Sequence, residues 1–325
     1  MKNNALILCA CNELLSSIDD YIEKASNKLA SKLKKAGFLK AKFSVKRLSE
    51  LEDKLTSALE KETEAVTEGA KKANKLEDIN LDKLLSDNSA KKEIAGLVSS
   101  HYSDVLPELT DAYIKQADKG LAYITATKRT SAWVGEWSEK LADLMDITSQ
   151  KDKIAELLDN HIKGGKGIDD FVKALQESGI RNERYRARTV AVTETLRAHS
   201  VAHDDARLQN PCVVEKIWRH TGLRNNTPRP NHVAMNWQKV KKDEAFTLIG
   251  ADGLTYQPKY PRDPVLPVGE TANCHCIAQD GIDEDILGLP LEERQRLQKE
   301  ALEELDDAWE EETDAQHRKD HKQEE

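Results

Sequence analysis

Only one of the nine prolines, Pro107, falls in the first 180 residues of this 325-residue chain. Proline removes an interior helical hydrogen bond and clashes with the preceding turn, so a long stretch nearly free of it is open to helix. Lys, Glu, Leu and Ala dominate the stretch. Apolar residues recur at steps of three and four, as in Leu48, Leu51, Leu55 and Leu59. The spacing predicts helix after helix over 1–180, with breaks at 35–37, near Asn88, at Pro107 and at the Gly cluster 164–167. That cluster is read as a hinge, leaving 1–180 mobile relative to the core domain. The opening MKNNALILCACNELL imitates a signal peptide. It has a single Lys before its apolar stretch and runs on into a helical pattern, so it reads as a first helix.

A strong helix is expected over 182–209. After Pro211 the pattern changes: Val213, Glu215, Ile217 and Arg219 alternate with Val214, Lys216 and Trp218, as in a strand. Five prolines lie between 228 and 264, and Gly250-Ala251-Asp252-Gly253 reads as a hairpin turn. A Glu-rich helix over 289–312 carries a thin apolar stripe of Leu291, Leu297, Leu302, Leu305 and Trp309. The last twelve residues read as disordered. The fold class is therefore α+β, predominantly α. A helical docking region (1–180) leads into a small α+β core domain with short strands and a Pro-rich loop (181–282), then an acidic helical tail (283–325).

Charge is segmented in the same way. The net −9 hides a tail at −11 and a core stretch, 181–262, at +7. Arg181, Arg184, Arg186, Arg219, Arg224, Arg229, Lys239, Lys241 and Lys242 in that stretch are candidates for phosphate contact, which needs cation density rather than sequence selectivity. The competing reading is a solvated face, or a seat for the acidic tail. No apolar run reaches the ~18 residues of a membrane span. Five cysteines in so long a chain argue against a disulfide framework, which suits synthesis in a reducing cytoplasm.

Two clusters carry possible chemistry. Glu194 falls on the apolar arc that Ala187, Val190, Ala191, Ala198, Val201 and Leu208 make on their helix. A carboxylate there must be paired: with Arg188, Arg197 or an Arg from the loop as a structural ion pair, or otherwise as a ligand or general base. Cys274 and Cys276 form C-x-C, with His220 and His232 upstream. These types suit tetrahedral zinc, but packed thiols or a disulfide fit the pattern too. Walker A, G-x-G-x-x-G and G-x-S-x-G motifs are absent, as is the H-x-E with P-C-x-x-C of zinc deaminases. His220, Asn231 and His232 lack the helix an HNH nuclease would need.

In order, YRARTVAVTET, KIWRH, TPRPNH, KKDEAF and NCHC, spread over 185–277, resemble the core domain of phage Mu F-type minor head proteins, the head-morphogenesis family of tailed phages. The family's TET falls on Thr193, Glu194 and Thr195, and its R-P-x-H ends at His232. His275 stands where the family usually has Arg, and Thr221–Arg224 replaces a usual acidic piece. The resemblance implies a non-enzymatic minor capsid protein inside the phage head. Portal, capsid and scaffold proteins and non-specific double-stranded DNA would be its partners. No cofactor is required, a structural zinc being the one metal the residues allow. Two alternatives stand beside it: a metal-dependent enzyme acting on nucleic acid through His232, Cys274 and Cys276, and a free cytoplasmic nucleic-acid binder.

Overall fold

The computed structural model describes residues 26–177, 183–221 and 228–323. The expected first helix at the N-terminus, Arg181 and Arg224 lie outside these residues. Residues 26–35 form α1, and Gly37, at φ 93°, turns the chain into α2 (Ala41–Ala70). Gly37 also gives room: a Cβ there would stand 3.0 Å from the Ile277 side chain. A 3-10 turn (Leu76–Asp78), α3 (Leu81–Asp87), α4 (Lys91–Ala117) and α5 (Lys128–Met145) come after it. Next are a second 3-10 turn (Ile147–Gln150), α6 (Lys151–Lys163), α7 (Ile168–Glu177) and α8 (Glu183–Gln209). Side-chain caps start several of these helices: Asn80 accepts from Lys83 N, and Thr127 from Thr130 N.

The expected break at Pro107 does not occur. Pro107 sits inside α4, where the buried neighbours Tyr102, Val105, Leu106 and Leu109 hold the helix together. Their packing outweighs the ~3 kcal/mol an interior proline costs.

The helical region is also not a detached arm. Leu48, Leu55 and Leu59 of α2, Ile94 and Tyr102 of α4 and Trp137 of α5 share one apolar core with Ala191, Val201 and Ala206 of α8. The line expected at 180/181 therefore crosses a continuous core. A second cluster joins the end of α2 to α3, α6 and α7 through Val66, Leu85, Ile154, Phe171 and Leu175. The glycines at 164–167 link α6 to α7, and both helices pack on that same cluster.

Beyond α8 lies a small lobe. It comprises β1 (Val213–Arg219), α9 (Pro230–Ala234), β2 (Lys239–Lys241), β3 (Leu248–Ile249), β4 (Thr255–Tyr256), α10 (Val268–Thr271) and β5 (Ile277–Ile282). Strands β2, β1 and β5 make an antiparallel sheet, and β3–β4 is the hairpin expected around Gly250–Gly253. The register of β1 against β5 shifts between Val213 and Glu215. This bulge moves the buried face from Val213 to Lys216 and Trp218. Strict alternation from the sequence would have kept Val213, Glu215 and Ile217 together. Helix α11 (Glu284–Leu287) then leads to α12 (Leu291–Gln323).

Helix α12 runs on through most of the residues expected to be disordered, because no Gly or Pro interrupts 291–323. It docks on α5 and α8. Leu302 and Gln298 are buried, Gln298 Nε2 donates to Ala122 O at 2.9 Å, and Arg294 pairs with Asp118.

Candidate metal centre and buried polar seam

Every residue of α8 from Thr193 to Gln209 is buried. Wrapped on all sides, the helix cannot keep a polar face toward water, so each polar side chain needs a partner inside the protein. Glu194 accepts hydrogen bonds from Tyr102 Oη and Trp137 Nε1, both at 2.7 Å. Arg197 Nε stands 3.2 Å from the same carboxylate, as an ion pair without hydrogen-bond alignment, and its guanidinium lies 4.1 Å over the Trp137 ring. Arg188 is not part of this pair. It is six positions away, about 240° round the helix, and reaches Glu52 of α2 at 2.5 Å instead.

Further along α8, His199 is held by Ser44 Oγ and Tyr113 Oη, each at 2.9 Å. Burial, then the Arg262 charge, pushes its pKa down to about 3, so it is neutral. His203 and Arg207 both reach Asp280 of β5, at 2.8 Å each. Burial alone would raise the Asp280 carboxyl, but His203 and Arg207 hold it down at about 2. Asp205 accepts from Thr127 Oγ1, Thr130 Oγ1 and Gln209 Nε2, all at 2.8 Å.

The seam continues into the small lobe through Arg262. This residue is 1% exposed and adopts φ 69°, unusual for a side chain larger than Gly. Its guanidinium donates to Ser200 Oγ at 2.5 Å and to the carbonyls of Cys274 and Cys276 at 2.8 Å each. Arg262 thereby fixes the C-x-C loop, which enters from Asn273 at φ 54°.

Both thiols then face His232 of α9. Its Nδ1 lies 3.5 Å from Cys274 Sγ and 3.7 Å from Cys276 Sγ, and all three residues are buried. His220, directly after β1, brings its Nδ1 to 3.8 Å from Cys276 Sγ. The opposite nitrogen of His232 is 2.9 Å from Glu270 Oε2 of α10. Glu270 Oε1 in turn accepts from Asn231 Nδ2 at 2.9 Å and Ala251 N at 2.8 Å. The described cysteines are free thiols, so the disulfide alternative is not the state seen. Cys276 donates to Cys274 and, with His232 and Arg262, holds the Cys274 thiol well below its ordinary range. The site opens on a crevice of about 490 Å³, lined among others by Lys32, Tyr185, Arg188, His220, Arg229 and His275.

Five of the expected DNA-contact residues have partners within the chain, although none of them is buried. Arg186 donates to Met145 O, and Arg219 stacks on Trp237 and donates to Gln279. Arg229 donates to Ala272 O, Lys239 pairs with Glu215, and Lys242 points at the carbonyls of Leu208 and Asn210. Arg184 and Lys241 are exposed. A denser set escaped the sequence reading: residues 26–47 hold eight Lys/Arg and no Asp/Glu. Lys28, Lys34, Lys35 and Lys42 of α1 and α2 are exposed there. A running charge count over the helical region would have found them. Arg262, Glu270 and Asp280 were missed because each acts on a partner far away in sequence.

A mainly helical protein with a small α+β lobe pinned by buried His and Cys side chains is thus in view. A family model described as "Phage Mu protein F like protein" matches residues 152–279, which span α6 to β5. "Uncharacterized protein YqbB" of Bacillus subtilis (strain 168) is 32% identical over 219 residues, covering 67% of this chain and 70% of the relative. No solved structure matches. The chain belongs to the phage Mu protein F-like family, a family of phage head proteins. No helix among the described residues is long and apolar enough to cross a membrane.

Proposed function

We propose that this chain is a minor structural protein of a tailed phage or prophage head, made in the bacterial cytoplasm and built into the head next to the portal, inside with the packaged DNA. The observation that carries the reading beyond the family is a division of surfaces. The small lobe exposes Trp237, Ile249, Leu254, Val265 and Val268, each more than half exposed. Ile249 and Leu254 border the hairpin turn, and Asn231 and Glu270 tie that turn to α9 and α10. Exposed apolar groups at this density suit docking on another protein, here a portal or capsid partner. The exposed Lys28, Lys34, Lys35 and Lys42 of α1 and early α2 offer basic groups suited to phosphates without sequence preference. Structural assembly, rather than catalysis, is the role this division serves.

Two measurements test it. Mass spectrometry of purified particles detects the chain, and Leu254→Glu with Val268→Glu prevents its incorporation while the free protein keeps its circular dichroism. The free chain binds duplex DNA with a steep salt dependence. Reversing Lys28, Lys34, Lys35 and Lys42 to Glu abolishes that binding, whereas Lys239→Ala leaves it unchanged. If the wild-type chain shows no DNA retention at low salt, the DNA contact is wrong and the basic surface serves an acidic protein partner.

A further inference from the structure

We infer that His220, His232, Cys274 and Cys276 hold one zinc ion in a closed, structural site. The donor atoms of His232, Cys274 and Cys276 already lie within 4.8 Å of one another, and His220, near Cys276 at the rim, is the fourth ligand that closes in on the ion. With Zn–S of about 2.3 Å and Zn–N of about 2.0–2.1 Å, a tetrahedron has N···S edges of about 3.6 Å. Three of the four N···S separations are 3.5, 3.7 and 3.8 Å; the fourth, His220 to Cys274, shortens when the ion draws His220 in. The set comprises two potential thiolates and two imidazoles, and two thiolates neutralise a divalent ion.

The surroundings are those of a metal site rather than of packed thiols. Glu270 accepts from His232 Nε2, which puts the proton there and leaves the Nδ1 lone pair facing both sulfurs. Carboxylate–imidazole pairs of this kind orient metal-bound histidines. Glu270 is itself fixed by Asn231 and the Ala251 amide, so the outer shell is built. Arg262 gathers the two cysteine carbonyls onto one guanidinium, so both sulfurs present on one side. The half-buried His220 borders the crevice, which gives the ion a route in. On binding, each thiol releases its proton to solvent and the sulfur takes the metal.

The ion would join four separate pieces of the small lobe: the end of β1, α9, the C-x-C loop before β5 and, through Glu270, α10. Four protein ligands leave no open position for a substrate or an activated water, so the site is a staple.

The test is metal analysis of the full-length chain, purified under reducing conditions from zinc-replete cells. About one zinc per chain is expected. Cobalt substituted for it should give the visible bands of tetrahedral coordination together with thiolate-to-metal charge transfer. Cys274→Ser with Cys276→Ser should bring zinc to background. Glu270→Gln should keep the metal but weaken its affinity about 10–100-fold. Wild-type protein that is metal-free and takes up neither zinc nor cobalt overturns the site, and this holds whether or not the variants fold. Zinc retained in the double serine variant overturns the ligand set. A cobalt spectrum unchanged in His220→Ala overturns the closed four-ligand form, and would point to a water in the fourth position and to a catalytic use.

Discussion

The helical body and the small lobe are held together by different means. Among the described residues the body buries twenty-six apolar residues from α2, α4, α5, α8 and the adjoining loops in one cluster, which Tyr260 of the small lobe joins. The small lobe's own cluster has eight, and two of those are Cys274 and Cys276. A core that small rarely stabilises a fold alone, and such units commonly lean on a metal, a disulfide or a larger neighbour. The Arg262–Ser200 and Asp280–His203–Arg207 links tie the lobe to α8, and the zinc proposed at the His/Cys cluster would be a second support. Apolar burial is non-directional and tolerates many sequences, whereas these polar links need particular atoms in particular places. Substitutions should therefore act through packing volume in the body and through atom identity in the lobe.

Chelation of the proposed zinc should remove amide hydrogen-exchange protection from β1 and β5 while α2 and α4 keep theirs. Equal loss in both regions would mean that the lobe and body unfold as one unit. Next comes the point where the body departs from its own rule. Glu194→Ala would leave Arg197 buried without its counter-charge, at a cost of about 3–5 kcal/mol, read as a fall in thermal midpoint. Glu194→Gln keeps acceptor and shape and should cost less. A neutral Glu194→Ala would show that the Arg197–Trp137 stack alone suffices.

Acid should also act on the body. His199 is excluded from protonation until about pH 3 in the folded chain, while the unfolded chain takes up its proton near pH 6.5. Its folded pKa is lowered, so between those limits the unfolded state binds more protons and stability falls as pH drops. The slope approaches about 1.4 kcal/mol per pH unit. His199→Gln should flatten that slope in melts between pH 7 and 5; an unchanged slope would assign the acid sensitivity to other groups. Asp280 works lower. Its folded carboxyl is depressed to about 2 against 3.8, so its contribution is full above pH 4 and disappears as pH falls toward 2. The smallest effect belongs to the surface: Lys239→Ala, breaking an exposed pair with Glu215, should change stability by no more than about 0.5 kcal/mol. A larger loss would mean that the edge strand β2 matters to the lobe more than its position suggests.

Periodicity and punctuation by themselves determined the helices, the breaks at Gly37, Asn88 and 164–167, the hairpin at Gly250–Gly253 and the α+β change after Pro211, because these depend on neighbours along the chain. The C-x-C and His232 could be singled out as possible ligands on residue type alone. Their convergence could not, since it requires β5 to pair with β1 and so carry the C-x-C loop to His220 and His232, forty or more residues before it. Tertiary structure alone decided that α8 is enclosed on every side, that Pro107 is tolerated, that Arg188 serves Glu52 and not Glu194, and that a bulge buries Lys216. It also decided that most of the basic stretch has partners within the chain, while Lys28, Lys34, Lys35 and Lys42 face water and Lys40, Lys46 and Arg47 pair with Glu108, Glu50 and Asp104. A charge count reports how many charges a segment has. Which of them remain solvated depends on what the fold brings against them, and that is fixed only when distant segments compete for the same partners.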